Sequence, residues 1–426
     1  MRLSEITFSR LPADWSATVL SNVIQPLTSG SRPAGGGTVE DEGVFSIGGE
    51  HITNDGTMDF SSPVHVPFDH YERIRTEAEV EPHDILINKD GANTGKLALV
   101  REDNLIKPSC INEHVFRVRT KNDLIDSHFL FYWLFSPQGQ RQIQALVQGS
   151  AQPGINQRIS RQVLVALPPT ADEQKAIAEI LDAVDAAIER TRAAIDKAQL
   201  LKRGLMQKLL PQWFGLKHVA PDFLGTEIEV VLASRVARVA NGSTPSRIES
   251  AYWRGGTIPW LPTGKVNDGI ITHAGEFVTE KALAECSIEL LPPGTVLVGM
   301  VGQGKTRGMS AFLSMSACIN QNFGAFVPGP RLDGKFLYHY LCQHYGPLRE
   351  IGGGTNQGAL NCYILKRLRL PVPPIEQQKQ IASVLDACAS VEVHHRAVLD
   401  KLECLKRGLM QDLLTGKVRV AAKPKS

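Results

Sequence analysis

At 426 residues the chain is long enough for two or three domains, each burying its own core. A composition of 42% hydrophobic and 21% charged residues excludes a mainly disordered chain, and no apolar stretch approaches the ~20 residues that span a bilayer. The formal net charge of +2 is too small to establish a nucleic-acid partner, and seven cysteines without Cys-x-x-Cys pairing, after an N-terminus with no sustained apolar region, fit a reducing, cytoplasmic setting.

From the N-terminus, an apolar run from Val19 ends in a Gly-x-x-Pro turn signal, Gly30 to Pro33. His51, His65, His70 and His83 follow in no spacing that suits a zinc site and read as surface histidines near turns. Asp84–Ile87, then Gly91 to Val100, reads as strand, turn and strand, and Ser127–Phe135 as a helical interval. After Leu167-Pro168-Pro169, with Thr170 or Asp172 able to cap, Ile177, Leu181, Val184, Ile188, Thr191 and Ile195 step by fours and threes along one helical face. About 38 residues at 1.5 Å each give a helix of ~57 Å, which needs a partner along its seam.

The sequence then repeats itself. Residues 175–210 and 379–414 align without a gap at an offset of 204 and agree at 19 of 36 positions, ending in Leu201-Lys-Arg-Gly-Leu-Met and Leu405-Lys-Arg-Gly-Leu-Met. Upstream, Gly242 to Pro245 repeats the first turn signal, Cys318-Ile-Asn-Gln repeats Cys110-Ile-Asn-Glu, and Thr295–Val298, a Gly-rich turn and Met309–Leu313 repeat the strand pair. A helical interval around Lys335 to Cys342 completes the second copy. The chain is a mixed α+β unit, a long helix, a second α+β unit and a second long helix. Gly204 and Gly408, inside the best-matching stretch, read as points of close helix approach, with local unwinding as the alternative.

Charge separates the copies. Lys and Arg number 15 against 20 Asp and Glu in residues 1–165, but 14 against 8 in residues 233–370. Gly299 to Thr306 matches a phosphate-binding loop, yet Arg307-Gly-Met-Ser enters a strand-like run where such a loop must open a helix, so it reads as a hairpin turn. Cys110 and Cys318 lack a base and read as small buried residues. No cofactor loop and no Asn/Asp-Pro-Pro-aromatic motif of a DNA methyltransferase is found. The two Gly-rich loops instead place donors where backbone can approach a duplex closely. Lys89, Asn93, Thr94 and Lys96 in the first copy, and Gln303, Lys305, Thr306 and Arg307 with Lys265 in the second, are the candidate DNA contacts.

The combined pattern resembles the DNA specificity subunit of type I restriction-modification enzymes. The resemblance is carried by Gly149 to Asn156, Leu167 to Ala178 and Leu201 to Leu210, with their counterparts Gly353 to Asn361, Leu370 to Ala382 and Leu405 to Leu414. It implies two pseudo-repeated globular target-recognition domains, residues 1–169 and 211–373 (the latter with a junction), separated by two long antiparallel helices, 170–210 and 374–416, that form an intramolecular coiled coil. A short basic tail, 417–426, follows. It implies a non-catalytic chain that reads an asymmetric, bipartite site on double-stranded DNA. Two copies of a modification (methyltransferase) subunit would carry S-adenosylmethionine, and restriction/translocase subunits ATP and Mg2+, with no cofactor or metal on this chain and no membrane. Gln152, Asn156, Lys202, Arg203, Gln357, Asn361, Lys406 and Arg407 are the subunit-contact candidates, with intramolecular packing as the alternative for each. A non-DNA interaction scaffold, or a relic of the family that has lost DNA binding, is the alternative function.

Overall fold

The computed structural model describes residues 11–38, 42–121, 124–149, 153–211, 222–223, 226–302, 304–351 and 359–420. It divides into two compact units, one of Met1–Arg192 with Ala397–Ser426 and the other of Ala193–Arg396. Each is mixed α+β.

In the first unit, Ile85–Asn88 and Leu97–Leu99 form an antiparallel pair with Ile87 opposite Leu97, in a four-stranded sheet with Val115–Val118 and Thr28–Ser29. The uninterrupted apolar run of Ile85 to Ile87 suits a strand buried on both faces. Leu86 and Ala98 face a core shared with the three-stranded sheet of His65–Val66, Val44–Ile47 and Ser109–Ile111. Ile85, Ile87, Leu97 and Leu99 face the other way, onto the helix Ser127–Phe135. Phe129 to Leu134 of that helix are all buried, as a helix apolar on every side must be.

The second unit repeats this plan with different side chains. Val296–Gly299 pairs with Ser310–Leu313 and Phe323–Pro328 in a five-stranded sheet. Val296 and Val298 pack towards the helix Gly334–Gln343, and Leu297 towards the sheet of Glu276–Val278, Ile258–Leu261 and Cys318–Ile319. In both units a two-stranded ribbon leads to a long helix: Ser16–Val19 with Leu164–Leu167, and Glu229–Leu232 with Arg369–Val372.

The long helices are Ala171–Leu209 and Ile375–Leu413, 39 residues each. Thr170, not Asp172, caps the first, its Oγ1 accepting from the Glu173 N–H at 3.2 Å. Within the first unit Asp185 meets Lys406 at 2.6 Å and Arg192 meets Glu403 at 2.9 Å, so the two helices run antiparallel. Within the second, Gln199 bonds Glu392 at 2.9 Å, and Leu205 and Leu209 share a core with Ile381 and Leu385.

Two readings need correction. Gly204 and Gly408 mark neither close approach nor unwinding: both helices continue through them, and a Cβ added at either would meet nothing within 4 Å. His51, His65 and His70 are buried, not on the surface. The His51 ring packs edge-on to Phe45, with Nδ1 accepting from the Gly48 N–H at 2.9 Å, and His70 Nε2 is bonded to the Ser31 carbonyl at 3.0 Å. Imidazoles so satisfied are inexpensive to bury.

Candidate nucleic-acid interface

The repeated motifs converge on one junction in each unit. In the first, a Cβ on Gly30 would fall 1.7 Å from the Ile111 carbonyl oxygen, so glycine is required where the Gly-x-x-Pro turn crosses the end of strand Ser109–Ile111. The Gly30 N–H donates to the Asn112 carbonyl at 3.2 Å, Asn112 Oδ1 accepts from the His114 N–H at 2.8 Å, and the Lys89 N–H donates to the His114 carbonyl at 2.9 Å. In the second unit a Cβ on Gly242 would fall 1.7 Å from the Ile319 carbonyl oxygen, Asn320 Oδ1 accepts from the Asn322 N–H at 3.1 Å, and the Met300 N–H donates to the Asn322 carbonyl at 2.8 Å. The Gly-rich loop is thus fastened to the strand end in the same way twice and the turn crosses that end equally closely in both units, while the side chains displayed differ: Glu113 and His114 against Gln321 and Asn322.

The first loop spends most of its donors internally. Thr94 Oγ1 donates to the Gly91 and Pro153 carbonyls at 2.6 and 3.0 Å, Asn93 Nδ2 to the Gly49 carbonyl at 3.3 Å, and Lys89 Nζ to Ser29 Oγ at 3.3 Å. Lys96, half-buried, makes no side-chain hydrogen bond or ion pair among the described residues. Acidic neighbours temper the surface: Asp90 holds His114 Nδ1 at 2.7 Å and Glu50 holds Arg32 at 2.9 Å.

The second loop is a hairpin turn. It joins the antiparallel strands Val296–Gly299 and Ser310–Leu313, and the Gly308 N–H donates to the Gly299 carbonyl at 2.8 Å. Thr306 Oγ1 donates to the Val301 carbonyl at 3.3 Å, Tyr345 hydroxyl to the Lys305 carbonyl at 2.8 Å, and Arg349 to the Gly304 carbonyl at 2.6 Å. A phosphate cradle needs amide donors at a helix start, whereas this loop is held by its carbonyls. The Lys305 side chain is exposed and unpaired among the described residues, and Arg307 is half-buried. Lys265 pairs with Asp268 at 2.5 Å in the turn whose Thr263 bonds Asn320. Gln303 lies outside the described residues.

Of the subunit-contact candidates, Gln152 and Gln357 lie outside the described residues. Asn156 and Asn361 are exposed: Asn361 Oδ1 caps the short helix Cys362–Arg367 by accepting from the Ile364 N–H, and Asn156 Oδ1 accepts from the Arg158 N–H in the turn before the helix Ile159–Gln162, both at 2.9 Å. Lys406 is held by Asp185 and lies 5.1 Å from the Phe135 ring centre, and Lys202 is half-buried near Glu392 and His339. Arg203 and Arg407 are exposed, as are Leu201, Gly204, Leu405 and Gly408 beside them.

Reading the sequence did not single out the brackets that seat each unit on its helix. Gln174 Oε1 accepts from the Asp126 N–H and Gln378 Oε1 from the Asp333 N–H, both at 2.9 Å, and each Asp caps the neighbouring buried helix. One helical stretch on, Asp182 takes His128 Nδ1 at 2.6 Å and the Tyr132 hydroxyl at 2.8 Å, while Asp386 takes Lys335 at 3.0 Å and His339 at 2.8 Å. Burial pushes the Asp182 carboxyl up, but bonds from His128 and Tyr132 and the charge of Arg101 outweigh it and leave it below the ordinary carboxylate value. Burial lowers the His339 pKa despite Asp386. The signal was available: Gln174 and Asp182 recur at the repeat offset as Gln378 and Asp386.

Burial pushes the Cys110 thiol up to about 12 and the Cys318 thiol to about 11, which leaves both protonated and unreactive. Among the described residues no group of three or more His, Cys, Asp or Glu could hold a metal ion, and no helix is long and apolar enough to cross a membrane.

Twice-built junctions with different side chains on a shared backbone define an internally duplicated α+β scaffold. The Type I restriction modification DNA specificity domain matches residues 70–198 and 227–403, and the chain belongs to that family. It is 26% identical over 423 residues to the type I restriction enzyme MjaVIII specificity subunit of Methanocaldococcus jannaschii, covering 96% of this chain and 94% of that one. The MjaIX specificity subunit of the same organism is 34% identical over 157 residues, 35% of each chain. The crystal structure of the S subunit from M. genitalium superposes with a TM-score of 0.61 at 16% identity, covering 94% of this chain and 96% of that one, a likeness of fold. Family membership gives the chain the role of a non-catalytic DNA-specificity subunit in a type I restriction-modification complex.

Proposed function

We propose that the chain reads an asymmetric, bipartite target on double-stranded DNA, one half through residues 1–169 and the other through 211–373, with the helical segments 170–210 and 374–416 setting the gap. The observation that carries this reading is the junction built twice on one backbone plan with unlike side chains, Glu113 and His114 in one unit and Gln321 and Asn322 in the other. A shared frame with different donors and acceptors is what two unequal half-sites require. Lys96 and Lys305 are the cations we assign to phosphate or base, and Arg307 is retained as a candidate from sequence. Lys89, Asn93, Thr94 and Thr306 brace their loops, and Lys265 stands beside the second junction; Gln303 is retained as a candidate from sequence.

Two modification subunits are the proposed partners. The matching stretches Leu201–Leu210 and Leu405–Leu414 bury the residues that packing needs, Leu210 and Met410 among them, yet they also agree at exposed Arg203, Gly204, Arg407 and Gly408. Internal packing gives no reason for that identity, whereas the same partner docked twice does. Methyl transfer from S-adenosylmethionine, and ATP- and Mg2+-dependent translocation, reside on those modification and restriction subunits. Exchanging residues 12–165 for the unit of a relative tests independent readout: one half of the methylated motif changes and the other stays. A change in both halves, or in neither, would reject it.

A further inference from the structure

Beside the Gly242–Pro245 turn the second unit builds a platform whose inner ring, Trp260, is buried in its core and whose outer ring, Trp253, is half-buried. Trp260 Nε1 donates to the Ser243 carbonyl at 3.1 Å and Trp253 Nε1 to the Ser246 carbonyl at 3.0 Å, so each indole is fastened to the turn by its one polar atom. The rings meet edge to face with centroids 5.2 Å apart. Over them lies Arg247, its guanidinium carbon 3.7 Å from the Trp253 ring centre and 5.0 Å from that of Trp260. Arg247 Nη2 is also paired with Glu276 Oε2 at 2.6 Å.

The guanidinium is held from two sides and remains open on a third. Its side chain is 54% exposed and makes no further hydrogen bond among the described residues. An arginine fixed in advance spares binding the cost of ordering a long side chain, and its rigid fork of donors matches O6 and N7 of guanine. The next residue, Ile248, is 97% exposed. A lone exposed apolar residue is ordinary, but one adjoining a fixed guanidinium suits the C5 methyl of thymine, the apolar mark of the major groove. The platform is continuous with the junction, because Thr244 Oγ1 in the same turn bonds Gln321 at 2.6 Å. Among the described residues the first unit shows no such platform: Arg32, inside its own Gly-x-x-Pro turn, is 23% exposed, paired with Glu50, and has its Nε buried.

We propose that Arg247 reads a guanine in the half-site of the second unit and that Ile248 covers the methyl group of an adjacent thymine. This rests on the reading of that unit as a DNA reader.

The test expresses the full chain with its modification subunit and maps methylated adenines for the wild type, Arg247→Ala, Arg247→Lys and Ile248→Ala, with copurification as the check on folding. The wild type should show a defined guanine in one half of a split motif. Arg247→Ala and Arg247→Lys should both lose preference for that guanine by about 5- to 150-fold, the other half staying fixed. Ile248→Ala should relax only a neighbouring thymine. A guanine preference that survives in Arg247→Ala overturns the proposal. So does full rescue by Arg247→Lys, which would mark a phosphate contact needing only charge, or a second half-site without guanine. Should Arg247→Ala fail to copurify, Arg247→Lys carries the comparison. If the wild type itself directs no split motif, it is the DNA-reading assignment of the unit that fails, and this proposal fails with it.

Discussion

The backbone N–H of Asp126 donates to Gln174 Oε1 at 2.9 Å while the Asp126 carboxylate caps the helix Ser127–Phe135, so one residue ties a buried helix to the start of the long one. Asp333 and Gln378 repeat the arrangement at 2.9 Å. Removing the acceptor leaves a half-buried N–H without its partner, at a cost of about 1–3 kcal/mol. Gln174→Ala should lower the unfolding midpoint through the first unit and Gln378→Ala through the second, as followed by denaturant unfolding. Unchanged midpoints in both would show that the brackets hold nothing.

Acid should weaken both units, the second at higher pH. The folded pKa of Asp182 is depressed below the ordinary carboxyl value of 3.8, so the stability it supplies is fully present above that value and is lost as pH falls through the folded pKa. His339 has a folded pKa below 6.5; the unfolded chain takes up its proton first, so stability declines as pH drops below about 6.5. Replacing His339 with Gln should flatten the dependence of the melting temperature on pH just below 6.5, and Asp182→Asn should flatten it below 3.8. A slope unaffected by either substitution would contradict these assignments.

Glycines of the repeat divide into two kinds. Alanine at Gly30 or Gly242 puts a Cβ 1.7 Å from a backbone carbonyl and should destabilise by about 1–3 kcal/mol or more. Alanine at Gly204 or Gly408 meets open space inside a helix and should stabilise the isolated chain by about 1 kcal/mol. Thermal unfolding of the four variants checks the contrast, and the same sign in all four would contradict it.

How much of this was legible in the sequence depended on whether a feature was local. The long helices, the strand–turn–strand pairs and the α+β character follow from period, proline placement and apolar runs such as Ile85 to Ile87. The phosphate-loop match at Gly299–Thr306 could be set aside because the residues after it favour strand over helix. Side-chain engagement was not legible, since it depends on chain distant in sequence: Asn93 is turned towards Gly49, Thr94 towards Pro153, and Lys406 towards Asp185. Gly204 and Gly408 misled because a small residue in a helix suggests a close neighbour, whereas here it leaves an exposed notch. The Arg247 platform joins residues 243 to 276 through ring contacts that no spacing rule encodes.

Arg203 and Arg407 form no ion pair among the described residues, so reversing both charges should leave folding intact while removing copurification with the modification subunit. Retained copurification at physiological salt would place the docking surface elsewhere.

The central claim is best met by single-molecule sequencing of methylated DNA from cells expressing this chain with its modification subunit, against cells expressing the modification subunit alone. A new motif of two unlike halves across a fixed gap, present only with this chain, is the predicted result. Copurifying proteins that yield no new methylation, or a single uninterrupted motif, would contradict bipartite recognition by the two units.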